Sequence, residues 1–218
     1  MLCVDFLSYL GREVFIFDVD SPDGGLATYF QESVKLIDFS RTDGKMEVFD
    51  TMLSKPSRDY IIDLPDHHLD LFFSQLEAID FVSAAHHAGL EIIVMFVHDM
   101  SATSITRALN IRKQYPVNLF IPVSSEAVEN TFDDPKVVRA YADLRLDGEI
   151  SLPKLSPQAI AYITDDIYSF DAFLNDERPD ISSDIYRELF EFYKTIYLQL
   201  DRQQLKFNLA DLRKTGVA

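Results

Sequence analysis

Tryptophan is absent from this 218-residue sequence, cysteine occurs once, and glycine occurs only seven times. The single Cys3 excludes an internal disulfide framework and suits a reducing compartment, so a cytoplasmic protein is expected. So few glycines leave little room for a loop whose backbone cradles phosphate. No apolar run approaches the about 18 residues of a membrane span. The start, Met1-Leu2-Cys3-Val4-Asp5, lacks the basic residues of a secretory leader. Basic residues are scarce as well: 20 Lys and Arg face 36 Asp and Glu, a formal charge of −16. Phosphate backbones need a basic face, so direct binding to DNA is not expected.

What is present is enough apolar residue, 47% of the chain, to exclude a disordered acidic tail and to fill a core. The length suits one domain over 1–218. Its first part, 1–123, alternates strand-like and helical stretches. Leu2, Phe6, Leu7 and Leu10 recur at helical spacing before Gly11. Val14 to Phe17 is a continuous apolar run of the kind buried on both faces of a parallel sheet, and it ends in Asp18-Val19-Asp20. Val34 to Phe39 reads as a short strand and Met46 to Leu53 as a short helix. Tyr60-Ile61-Ile62 is a strand that ends in Asp63-Leu64-Pro65. Leu69 to Ala88 reads as one long helix stopped by Gly89. Glu91 to Val97 is a strand, Ala102 to Gln114 a helix, and Asn118 to Val123 a strand.

The remainder, 124–218, is more helical: Pro135 to Leu144, Pro157 to about Phe173, and Ser182 or Ser183 to about Leu205. Asn175 to Asp180 reads as a polar break between the last two. The expected fold is α/β, a mainly parallel sheet with helices on both faces and a helical C-terminal portion. Ligands of such sheets bind beyond the carboxyl ends of the strands, where Asp18, Asp20, Asp63 and Asp99 fall.

Three segments carry a resemblance. They are Gly11 to Asp20 with its D-x-D end, Asp59-Tyr60-Ile61-Ile62-Asp63-Leu64-Pro65, and Glu91 to Val97 followed by Ser101 to Arg107. In this order and spacing they resemble the deviant Walker A ATPases, the ParA/MinD-like family of P-loop proteins. The resemblance implies a three-layer P-loop NTPase-like fold that binds ATP with Mg²⁺ and acts as a switch in plasmid partition, stability or transfer. It implies that Asp63 holds the Mg²⁺ shell and that Asp18 lies near the same ion. Asp20 would orient the attacking water, and Asp18 and Pro65 would line the nucleotide. Carboxylate and water oxygens are the ligands a hard cation prefers.

The family's K-G-G-x-G-K-[ST] loop does not occur in the sequence, whose single Gly-Lys pair is Gly44-Lys45. Met1 to Leu10 matches the helix that follows that loop. The expected consequences are a missing first strand beside the Walker B strand, a natural start upstream of Met1, and poor phosphate affinity without the loop. Whether the chain is an enzyme stays open on this reading. A homodimer or a partner protein is implied. The alternative is a non-catalytic interaction module that retains the fold.

A further alternative is a haloacid-dehalogenase-like phosphatase. Phe15 to Pro22 resembles that family's D-x-D motif, with Asp18 as nucleophile and Asp20 as general acid. Ser124 or Ser125, Lys136 or Lys154, and Asp165-Asp166 would be its partners, although Pro22 stands where Thr or Val is usual. The five histidines, His67, His68, His86, His87 and His98, form no zinc motif, and His98 lies at a strand end. Leu205, Leu209 and Leu212 with Arg202, Lys206, Arg213 and Lys214 read as a short basic amphipathic helix. It is expected to pack on the core rather than dock on a membrane. The aromatic Tyr186, Phe190, Phe192, Tyr193 and Tyr197 stretch reads as a buried helix or a dimer surface.

Overall fold

The computed structural model describes residues 1–22, 24–30, 33–129, 133–164, 173 and 181–214, with side chains to residue 208 except those of Thr28 and Tyr29. The chain is α/β and divides into two compact units, 1–92 with 163–178, and 93–162 with 179–218. Each unit is built on its own three-stranded parallel sheet.

The first unit runs α1 (Leu2–Tyr9), β1 (Val14–Asp18), α2 (Gly25–Tyr29), β2 (Val34–Leu36), α3 (Thr42–Ser54), β3 (Asp59–Asp63), a 3₁₀ turn (Asp66–His68), α4 (Leu69–Ala78) and α5 (Phe81–His87). The strand order is β2-β1-β3. The central strand β1 buries Ile16, Phe17 and Asp18, as a strand covered on both faces must. Gly11 ends α1 at φ 72°, as its position in the sequence suggests. Phe39, Phe49, Phe72 and Phe81 form a chain of ring contacts with centroids 4.9–6.2 Å apart. Each buried ring stabilises the fold by about 1.5–3 kcal/mol relative to exposure.

Two local readings change. The expected helix Leu69 to Ala88 is broken at Ile79-Asp80, where Asp80 takes a left-handed φ of 50°. Gly44 belongs to the first turn of α3, which starts four residues earlier than expected. A Cβ at Gly44 would lie 2.3 Å from the Asp38 carbonyl oxygen, so this glycine serves close backbone approach.

The second unit runs β4 (Ile93–Val97), α6 (Ala102–Gln114), β5 (Leu119–Ser125), α7 (Pro135–Leu144), β6 (Ile150–Leu152), α8 (Pro157–Thr164) and α9 (Ser183–Lys214), with strand order β4-β5-β6. Side-chain caps start its helices. Ser101 Oγ accepts from the Ser104 N–H (3.1 Å), an Asp134 carboxylate oxygen from Lys136 N–H (2.8 Å), and Ser182 Oγ from Ile185 N–H (3.3 Å).

Helix α9 is one continuous helix that absorbs the expected separate basic segment; the side chains of Leu209, Leu212, Arg213 and Lys214 lie outside the described residues. It buries Leu189, Tyr193, Ile196 and Leu200. Gln199 pairs with the outer strand β6 as a strand would: its Oε1 accepts from Ser151 N–H (2.8 Å) and its Nε2 donates to Ser151 O (2.9 Å). Asn175 to Asp180 and the stretch after Thr164, where α8 was expected to continue, lie outside the described residues apart from Phe173. Among the described residues no helix is long and apolar enough to cross a membrane.

The sequence reading placed all strands in one sheet. Among the described residues β3 pairs only with β1 and β4 only with β5.

Candidate functional site

The candidate site of the first unit lies beyond the carboxyl ends of β1 and β3. The two strands run parallel and in register, so Asp18 pairs with Asp63, and Val19 N–H donates to the Asp63 carbonyl at 3.2 Å. This brings together the two carboxylates singled out from the sequence. They do not share one environment.

Asp18 is fully buried. Its Oδ1 accepts from Asp20 N–H (3.1 Å), and its Oδ2 accepts from Leu26 N–H (2.8 Å) and Ala27 N–H (3.1 Å). Leu26 and Ala27 stand in the first turn of α2, where amides have no partner within the helix, so Asp18 caps that turn from a neighbouring strand. Three amide donors let a carboxylate stay buried and charged. The approach depends on Gly24, at φ 39°, where a Cβ would sit 3.3 Å from Asp18 Oδ2 and 2.7 Å from Leu36 Cδ1.

Asp63 is exposed, while its carboxyl is partly desolvated. That desolvation, then the Asp18 carboxylate and to a lesser degree Asp20, push it above its ordinary range; the α-amino group of Met1 opposes the push. Asp20 is half-exposed, with Oδ1 3.5 Å from His67 Nε2. Pro65 begins the turn Asp66–His68 and accepts from His68 N–H at 3.0 Å. Asp63 and Asp20 offer the exposed carboxylate oxygens that Mg²⁺ prefers, whereas both Asp18 oxygens are engaged by amides. Among the described residues no group of three or more His, Cys, Asp or Glu is arranged to hold a metal ion.

The second unit carries a polar cluster that sequence reasoning left in pieces. His98 follows β4, and Ser124 of β5 stands beside it in the register. Both are buried. Glu149, just before β6, collects three donors. The Tyr141 hydroxyl of α7 donates to its Oε1, Ser124 Oγ donates to the same oxygen at 3.4 Å, and Arg145 Nε lies 2.7 Å from its Oε2.

The Tyr141 hydroxyl is pushed up to about 12, first by burial and then by its bond to Glu149. Arg145 stacks over the Tyr141 ring at 5.3 Å, and the His98 ring meets it edge-on at 5.4 Å. Ser124 and His98 were visible as strand-end residues. Glu149 and Tyr141 had no motif, because only the folding of α7 against β5 makes them neighbours.

Comparison with protein-family models, with curated proteins and with solved structures returns no match.

Proposed function

We propose that the chain is a nucleotide-binding switch of the ParA/MinD-like type, with ATP and Mg²⁺ at the strand ends of the first unit. One observation carries the reading: Asp18 and Asp63 stand in register at the carboxyl ends of adjacent parallel strands. Strand-end carboxylates favour the cation that accompanies phosphate. The edge position of β3 also supports it, since the family's first strand lies beside the Walker B strand.

In this reading Asp63 and Asp20 hold the ion's water shell, and Pro65 lines the nucleotide. Asp18 acts from behind by fixing the Gly24–Ala27 turn. Mg²⁺ would offset phosphate charge. The phosphatase alternative would need Asp18 to leave three amides before it could attack; its candidate partners Asp165 and Asp166 lie outside the described residues. A homodimer or partner protein, as the switch's output, belongs to the same proposal.

A second reading, an interaction module that keeps the fold without nucleotide, is favoured by the sealed state of Asp18. Calorimetry of the full chain with ATP and Mg²⁺ separates the two. The switch predicts binding at about 1 mM or tighter, lost in Asp63→Asn. Silence from the unaltered chain overturns the nucleotide reading.

A further inference from the structure

His98 is 4% exposed, and neither of its ring nitrogens has a hydrogen-bond partner among the described residues. A buried polar group without a partner costs free energy, so such positions call for an explanation. The charged and titratable groups about the ring are Tyr141 from α7, Glu149 from the approach to β6 and Asp99 from the turn after β4, with Arg145, just after α7, behind Tyr141 and Glu149; Ser124 comes from β5. Of the two carboxylates that act on the ring, Glu149 acts more strongly than Asp99. Its carboxylate already holds Tyr141, Ser124 and Arg145, two of which belong to the C-terminal end of α7.

We infer that His98 is a proton-operated latch on α7. One proton from bulk water binds the unprotonated ring nitrogen, and no other bond forms or breaks covalently. The imidazolium then has two N–H donors and no acceptor in its present position. It competes for Glu149, and the hydroxyl of Tyr141 and the guanidinium of Arg145 lose the carboxylate that ties α7 to β5 and β6. The same ring can serve as a reporter because, of all side chains, imidazole changes charge nearest neutrality.

Burial holds His98 below its ordinary value of 6.5, ahead of the opposing pull of Glu149 and Asp99. The released state therefore takes up the proton first as pH falls. The packed state keeps its full stability above 6.5 and loses it progressively as pH drops through the lower native value.

Native-state hydrogen exchange on the full chain tests the latch, with α6 as the internal reference. Protection factors of α7 amides, corrected for intrinsic exchange, should fall relative to α6 by about tenfold between about pH 7.5 and about pH 5. In His98→Phe, which keeps a ring against Tyr141 but cannot titrate, the fall should disappear. Should that variant not fold, His98→Gln supplies a polar, non-titrating replacement with the same expected result. A parallel fall in either variant overturns the inference. So does a His98 ring that titrates, followed by nuclear magnetic resonance, while α7 protection stays constant.

Discussion

Two parallel sheets of three strands each place polar side chains beyond their carboxyl ends, and they stabilise them by opposite means. In the first unit the buried group is a carboxyl, that of Asp18, and each oxygen is met by a backbone amide. In the second the buried group is a ring, His98, whose nitrogens have no hydrogen-bond partner among the described residues, while the carboxylate beside it, Glu149, serves three donors at once. A charge survives burial only when fully hydrogen-bonded, whereas a neutral imidazole survives it at moderate cost. The first arrangement is held by backbone amides. The second depends on one proton.

The largest test of this contrast is Asp18→Ala. It leaves one buried and two part-buried amides without an acceptor, and at about 1–3 kcal/mol for a buried group of this kind a loss of about 3 kcal/mol is expected. Hydrogen exchange should show the loss at β1 and leave β5 unchanged; equal loss in both would dissolve the distinction between the units. Glu149→Ala comes next. It strips Tyr141, Ser124 and Arg145 of their shared acceptor and should cost about 2 kcal/mol, less than a fully buried pair because water reaches Arg145. That loss should be read at α7 and β5 and not at β1.

Tyr141→Phe removes one donor and keeps the ring against His98, so about 1 kcal/mol is expected in chemical unfolding followed at α7. The smallest effect belongs to Asp63. Its native carboxyl sits above the ordinary 3.8, so the stability it contributes is present below 3.8 and is lost as pH rises through the native value. At neutral pH the ionised group is a slight burden, and Asp63→Asn should stabilise the first unit by a few tenths of a kcal/mol, allowing for screening of an exposed side chain. Acid should thus relieve the first unit at Asp63 and strain the second at His98. Identical pH profiles for β1 and β5 exchange would remove the comparison.

Local signals made most elements legible in the sequence. Ala102–Gln114 and Pro135–Leu144 were expected at their observed limits, and Ser101 and Asp134 cap their starts. The break at Ile79-Asp80 was not, since no Gly or Pro marks it and an aspartate must adopt the left-handed conformation. The division into two sheets was hidden for a different reason. Tyr60 to Ile62 and Glu91 to Val97 both read as strands of one sheet, and pairing between distant strands leaves no trace in local composition. At the site, Asp18 and Asp63 could be read because each ends an apolar run. That Asp18 faces amides rather than solvent followed from the return of α2 over the strand end, which residue type alone does not reveal.

Strand β4 closes one side of its sheet with five apolar residues, of which Val97 is 73% exposed and Ile93 42%. Natural edge strands usually carry a lysine or a proline as a guard against pairing with foreign strands, and β4 has neither. The guard here is collective. Thirty-six acidic side chains against 20 basic ones keep copies apart by mutual repulsion. Acidification that titrates those carboxylates removes the repulsion while the β4 edge, unpaired among the described residues, keeps its apolar side chains, so overall charge rather than any residue of the strand is the guard against association.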